Sequence, residues 1–242
     1  MEGARLWRRN PAVLIFASFT YMLLLLLLGA IPLVGQVLAY LLMPVMSLGV
    51  LNTCRAIDEG RKAGPDLLFS GFRAPIVPQL MAVGGIYLVG SLGVLFIAAL
   101  FDDGTLLGIV TGGEPFDPEA DLPGMGNALL VAVVLSLPVL ATYWFAPVLA
   151  GWWGVPAAKA MFFSFYACLQ NWRPLLAFGL SLLLMLGFLP RIVISFAGMI
   201  SPLFSSLLTL VLPLILLPIT FASFYANARD VFGRDRDATT SG

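Results

Sequence analysis

Three short phrases repeat one combination of chemistry-bearing side chains: "WRRNP" from Trp7, "FRAP" from Phe72 and "NWRP" from Asn171. Each joins an aromatic ring, an arginine and a proline: Trp7 with Arg8 and Arg9, Phe72 with Arg73, and Trp172 with Arg173. A guanidinium holds phosphate oxygens, an aromatic ring settles at the boundary between headgroups and hydrocarbon, and proline suits a first helical turn, where its missing amide leaves nothing unmet. The chemistry is that of a lipid surface. These residues are candidate interface or lipid contacts, with membrane lipids as partners and anionic headgroups among the candidates.

Other reactive types do not assemble into sites. Asp102 and Asp103, with the run Glu114, Asp117, Glu119 and Asp121, form an acidic stretch without the EF-hand pattern, so a solvated loop is expected. Arg55 and Asp58 have the i,i+3 spacing of a helix-end ion pair, worth about 0.2–0.5 kcal/mol. Cys54 and Cys168 form no CxxC and read as small buried hydrophobes. There is no histidine, and no HExxH, GxSxG, Walker A or dinucleotide glycine motif. No catalytic residue, cofactor or metal is expected, and enzyme activity is not.

The elements that must position these residues follow from composition. Of 242 residues 60% are hydrophobic and 11% charged, where soluble domains carry about a quarter charged. Basic and acidic residues balance at 13 each, so nothing points to nucleic acid. The run from Pro11 to Ile31, about 31 Å as a helix, is too long for a signal-peptide core and reads as a retained first span. Further apolar runs end near Cys54, cover about 74–100 and about 126–150, and then roughly 174–189 and 203–225. The expected fold is an all-α polytopic bundle of about six spans in a single membrane domain, 1–242. "RAIDEGRKAGPDLLFSGFR" reads as an exposed connection and "MFFSFYACLQNWRP" as an aromatic-rich one. "TLLGIV" suits a short interfacial turn, and "PRIVISFAGMISP" an interfacial segment or an extension of either neighbour.

Six spans return both termini to one side. With that threading, 12 of the 13 basic residues fall on one face and only Arg191 opposite, which makes that face, and both termini, cytoplasmic in a bacterial inner membrane. Trp7, Trp152, Trp153 and Trp172 then fit a cytoplasmic aromatic belt. Pro44, Pro147 and Pro218 lie 11, 12 and 11 residues before Arg55, Lys159 and Arg229. Together with the helix-start phrases they suggest an internal repeat of three parallel hairpins, 6–58, 69–160 and 171–232. Each proline is a candidate kink, because it removes a donor from the carbonyl four residues earlier, at Tyr40, Tyr143 and Leu214. Glycines 84, 85, 90 and 93 offer a surface for close helix approach.

Polar residues near the spans, including Gln36, Tyr40, Asn52, Gln79, Tyr87, Asn127, Tyr143, Ser181, Ser205, Ser206 and Thr209, suit interhelical hydrogen bonds or a narrow polar path. The expected role is a scaffold, an accessory subunit with a membrane-protein partner, or a lipid-interacting factor. The alternative is a channel or transporter for a small neutral or amphipathic substrate.

The phrases "LWRRNP", "PVMSLGVLNTCRAIDEG", "LFSGFR" and "FYANARDVF" together resemble a family of uncharacterised bacterial inner-membrane proteins with about six helices. More loosely they look like YciC-type proteins and the membrane part fused to some glycerophosphodiester phosphodiesterases. The resemblance points to Trp7, Arg8, Asn10 and Pro11, to Pro44, Arg55, Phe69, Phe72 and Arg73, and to Pro218, Tyr225 and Arg229. It implies no catalytic assignment, and the phosphodiesterase domain itself is absent from this sequence.

Overall fold

Apolar runs free of charge cannot leave their amides unmet in hydrocarbon, so they close their hydrogen bonds internally as helices. The computed structural model describes residues 2–31, 33–73, 75–111 and 123–239, with side chains through residue 233. In chain order the helices are α1 (Glu2–Arg9), α2 (Pro11–Gly29), α3 (Val34–Asp58), a 3-10 segment (Pro65–Phe72), α4 (Val77–Ala98), α5 (Thr105–Thr111), α6 (Met125–Trp144), α7 (Ala146–Trp153), α8 (Ala157–Gln170), α9 (Trp172–Leu183), a π turn (Leu184–Phe188), α10 (Leu189–Ile200) and α11 (Pro202–Thr239).

Among the described residues six stretches are long and apolar enough to cross a membrane: Pro11–Gly29, Val34–Asp58, Val77–Ala98, Met125–Trp153, Trp172–Ile200 and Pro202–Gly233, with mean hydropathy from 1.9 to 2.4. The protein is an all-α, polytopic membrane helical bundle.

The chain gathers into two units, Met1–Leu23 with Met46–Gly71 and Ala167–Gly242, and Leu24–Val45 with Phe72–Tyr166. In the first, α1 buries Gly3 and Leu6, leaves Arg5, Arg8 and Arg9 exposed, and packs along α11. Asn10 interrupts the helix and its side chain accepts from the Val13 amide (3.4 Å), so Pro11 opens α2 from a capped turn. Of the segment after α3, expected as an exposed connection, Arg61, Lys62, Pro65 and Asp66 are exposed, while its later part docks on α3. Leu68 and Ser70 are buried, Asn52 donates to Ser70 Oγ (2.8 Å), and a Cβ on Gly49 would stand only 1.8 Å from the Leu68 carbonyl oxygen.

The fifth span corrects the expected 174–189. It runs from Trp172 to Ile200, and "PRIVISFAGMI" is its continuation. Pro190 has no amide and crowds the carbonyl four residues back. The chain absorbs this in the π turn just before it, where the Leu189 amide reaches back to the Leu184 carbonyl. Arg191 therefore belongs to this span, about 29 Å beyond Trp172 along the helix axis. That distance is close to the thickness of the hydrocarbon layer. The sixth helix likewise outruns its expected end at Tyr225, carrying Asn227, Arg229 and Asp230 on continuous helix.

In the second unit α4 packs on α6. Gly84 meets the α3 backbone closely enough that a Cβ there would lie 2.3 Å from the Tyr40 carbonyl oxygen. That carbonyl is the one Pro44 leaves without its amide partner, so the glycine hydrogen lies toward an acceptor that needs one. Gly90 similarly faces Val139, at 3.1 Å from a built Cβ, whereas Gly93 faces open space.

Candidate functional site

The charged residues at the ends of α1, α3 and α11 converge in the first unit. Asp58, the last residue of α3, accepts from Arg229 Nη1 (2.7 Å) and from the Tyr225 hydroxyl (3.0 Å) on one carboxylate oxygen. Arg9 donates to the Asp58 main-chain carbonyl (3.3 Å) and stands 4.0 Å from its carboxylate. The other arm of Arg229 engages Glu2 of α1 and lies 3.6 Å from Asp230. Tyr225 and Arg229 sit four positions apart on α11, so both reach the same carboxylate from one face.

Arg55 also reaches the residue beyond Asp58. Its guanidinium donates to Glu59 (2.9 Å), which also accepts from Arg61 (2.6 Å). These two hydrogen bonds, Arg55 first, hold the Glu59 carboxyl below the usual carboxylate range. Cys54, one turn earlier, is fully buried.

The helix-start residues separate into distinct settings. Arg9 joins the Asp58 network, while Arg8 is exposed. The Trp7 indole N–H is buried and has no hydrogen-bond partner among the described residues. Arg173 stacks over the Trp172 ring, 5.3 Å from its centroid, and both are exposed at the start of α9; such a cation–π contact is worth about 0.5–1 kcal/mol at an exposed site. In the second unit Phe72 and Arg73 are exposed just ahead of α4.

The three candidate kinks also differ. Helix α3 runs unbroken through Pro44 and α11 unbroken through Pro218. Only Pro147 coincides with a break, and the break falls at Phe145, which separates α6 from α7. There the Ser164 hydroxyl of α8 enters the helix ladder. It accepts from the Phe145 amide (2.9 Å) and donates to the Ala141 carbonyl (2.8 Å), the two groups an uninterrupted helix would have joined directly.

Sequence reasoning missed Ser164, since it read the stretch as a connection. The signal was present: Ala157, Ala160, Met161 and Ser164 recur at i, i+3, i+4 and i+7, and all four are buried.

Several residues proposed for a polar path have local partners. Gln79 Oε1 accepts from the Ala157 amide (3.0 Å), meeting one of the orphan donors at the start of α8. Ser181, Ser205, Ser206 and Thr209 each donate to a carbonyl of their own helix. Tyr40, Tyr87 and Tyr143 form a row of rings, with centroids 5.7 Å and 4.4 Å apart. An open groove beside them, about 460 Å³, is lined by Ile86, Gly90, Val139, Met161 and Phe165 and is mostly apolar.

Asp102 is buried rather than solvated. Its carboxylate accepts from the amides of Gly104 (3.2 Å) and Leu106 (2.7 Å), capping α5, the short helix at the "TLLGIV" stretch. Glu114, Asp117, Glu119 and Asp121 lie outside the described residues. Among the described residues no three His, Cys, Asp or Glu side chains gather as a metal-ligand set.

No family model matches the chain, and no solved structure matches it. A probable inner membrane protein of Burkholderia thailandensis is 36% identical over 244 residues, covering 96% of this chain and 88% of that protein. The similarity reaches a bacterial inner-membrane relative and adds no support for the narrower likeness to YciC-type proteins or phosphodiesterase-fused membrane parts.

Proposed function

The chain belongs to the same family as that bacterial inner-membrane protein, and on that premise we propose that it is a multi-pass inner-membrane protein without a catalytic role. It serves as a scaffold, an accessory subunit or a lipid-interacting factor. Both termini face the cytoplasm, as the distribution of basic residues favours, and the spans follow the plan of three tandem hairpins, 6–58, 69–160 and 171–232.

The observation that carries this reading is where polar and apolar groups are spent. Gln79, Ser181, Ser205, Ser206 and Thr209, candidates for a substrate path, are engaged in hydrogen bonds that hold helix ends or their own helices. The apolar core window of the fifth span, by contrast, has no buried residue at all. Apart from its contact with α11, that span offers most of its surface to lipid or to a membrane partner.

Purification in nanodiscs formed directly from native membrane, followed by mass spectrometry of retained protein and lipid, tests the reading. A stoichiometric protein partner, or lipid in proportions distinct from the bulk membrane, is the expected result. A solitary protein carrying bulk lipid would count against it, and solute flux in reconstituted vesicles would favour a channel or transporter.

A further inference from the structure

The first unit contains a cavity of about 410 Å³ between the start of α1, α9 and the later part of α11. Its lining combines apolar Phe178, Leu182 and Ile219 with Glu2, Asn227 and Asp230. It is thus amphipathic within a few residues, and its charged lining is acidic.

Among the described residues, the ion pairs around it do not cancel that acidity. The linked ion-pair set holds two guanidiniums, Arg9 and Arg229, against three carboxylates, Glu2, Asp58 and Asp230. Arg229 divides itself among all three, so among the described residues the set is short of one positive charge. Independently, the Asn227 side-chain oxygen is buried without a hydrogen-bond partner among the described residues, and such an unmet acceptor is costly. Two deficits, a missing cation and a missing donor, meet at one cavity whose remaining lining is mostly apolar, with the hydroxyls of Ser181 and Ser223 also on it.

We propose that this cavity binds the headgroup of an aminophospholipid, with its primary ammonium toward Glu2, Asp230 and Asn227 and the start of an acyl chain against Phe178 and Leu182. A primary ammonium supplies both the charge and the N–H donors, whereas a trimethylammonium supplies only charge. The inference rests on the lipid-interacting reading and opposes the anionic headgroup that the arginine-rich helix starts suggest.

The full-length protein in nanodiscs of equimolar phosphatidylethanolamine, phosphatidylcholine and phosphatidylglycerol provides the test, read as lipid retained on the protein by native mass spectrometry. The expected result is about tenfold enrichment of phosphatidylethanolamine over phosphatidylcholine, the factor that one hydrogen bond to a charged group supplies. Enrichment should fall to the bulk ratio in the Glu2→Gln, Asp230→Asn double variant. It should also fall in Leu182→Trp, which narrows the cavity while leaving every ion pair in place.

Enrichment of phosphatidylglycerol instead would overturn the ammonium assignment and leave lipid interaction standing. Bulk ratios for all three lipids in the unaltered protein would remove both. Displacement by tail-free phosphoethanolamine at the same potency as the lipid would sink the amphiphile assignment, because the apolar wall would then contribute nothing.

Discussion

Replacing Ser164 by alanine tests whether one hydroxyl holds the α6–α7 break together. The side chain is fully buried and both of its hydrogen bonds cross between helices, at 2.9 Å from the Phe145 amide and 2.8 Å to the Ala141 carbonyl. A protein hydrogen bond nets about 1 kcal/mol, and measured interhelical ones in membranes average about 0.6. Two of them together are worth about 1–2 kcal/mol. The alanine also takes this partner from a buried donor and acceptor, a loss of up to about 1–3 kcal/mol for each. Direct closure between Phe145 and Ala141 would recover part of that cost, but Pro147 works against it by crowding the Tyr143 carbonyl. The expected net loss is about 2 kcal/mol. Equilibrium unfolding in mixed micelles measures it, with Ser164→Cys as a near-isosteric weak donor expected to lose less. Ser206→Ala, which removes an exposed hydroxyl bonded only to its own helix, should stay within about 0.5 kcal/mol. A Ser164→Ala loss no larger than this control would refute the bridging role.

Two further perturbations address helix contact and surface charge. Gly84→Ala forces a Cβ to within 2.3 Å of the Tyr40 carbonyl oxygen and should cost about 1–3 kcal/mol in the same assay. Gly93→Ala, facing open space, should be neutral or stabilising by up to about 1 kcal/mol, so equal effects would argue against the packing. Because Arg55 and Arg61 lower the folded-state pKa of Glu59, its contribution is full above the ordinary carboxylate range and disappears as pH falls through the lowered value. Thermal stability of Glu59→Gln should therefore be less dependent on pH on that acid limb than the unaltered protein; parallel curves would refute the linkage.

Membrane class, number of spans and the proline positions were legible in the residues themselves. Hydropathy over some 20 residues is a local property, and hydrocarbon permits few backbone forms. The short helix at "TLLGIV" and the close approach at Gly84 were legible for the same reason, one from turn chemistry and the other from a missing side chain. Asp58 shows the limit. Its neighbours in sequence offered Arg55, while its partners include Arg9, Tyr225 and Arg229, 49, 167 and 171 residues away. Which of three similar prolines sits at a broken helix was likewise invisible, since all three lose the same amide. At Pro147 another helix delivers a hydroxyl into the gap at Phe145. The sequence by itself determined which segments must be helical and apolar, because those demands act residue by residue. The tertiary structure decided which carboxylate meets which guanidinium and which backbone gap is filled, because such pairings depend on distances that only packed helices set.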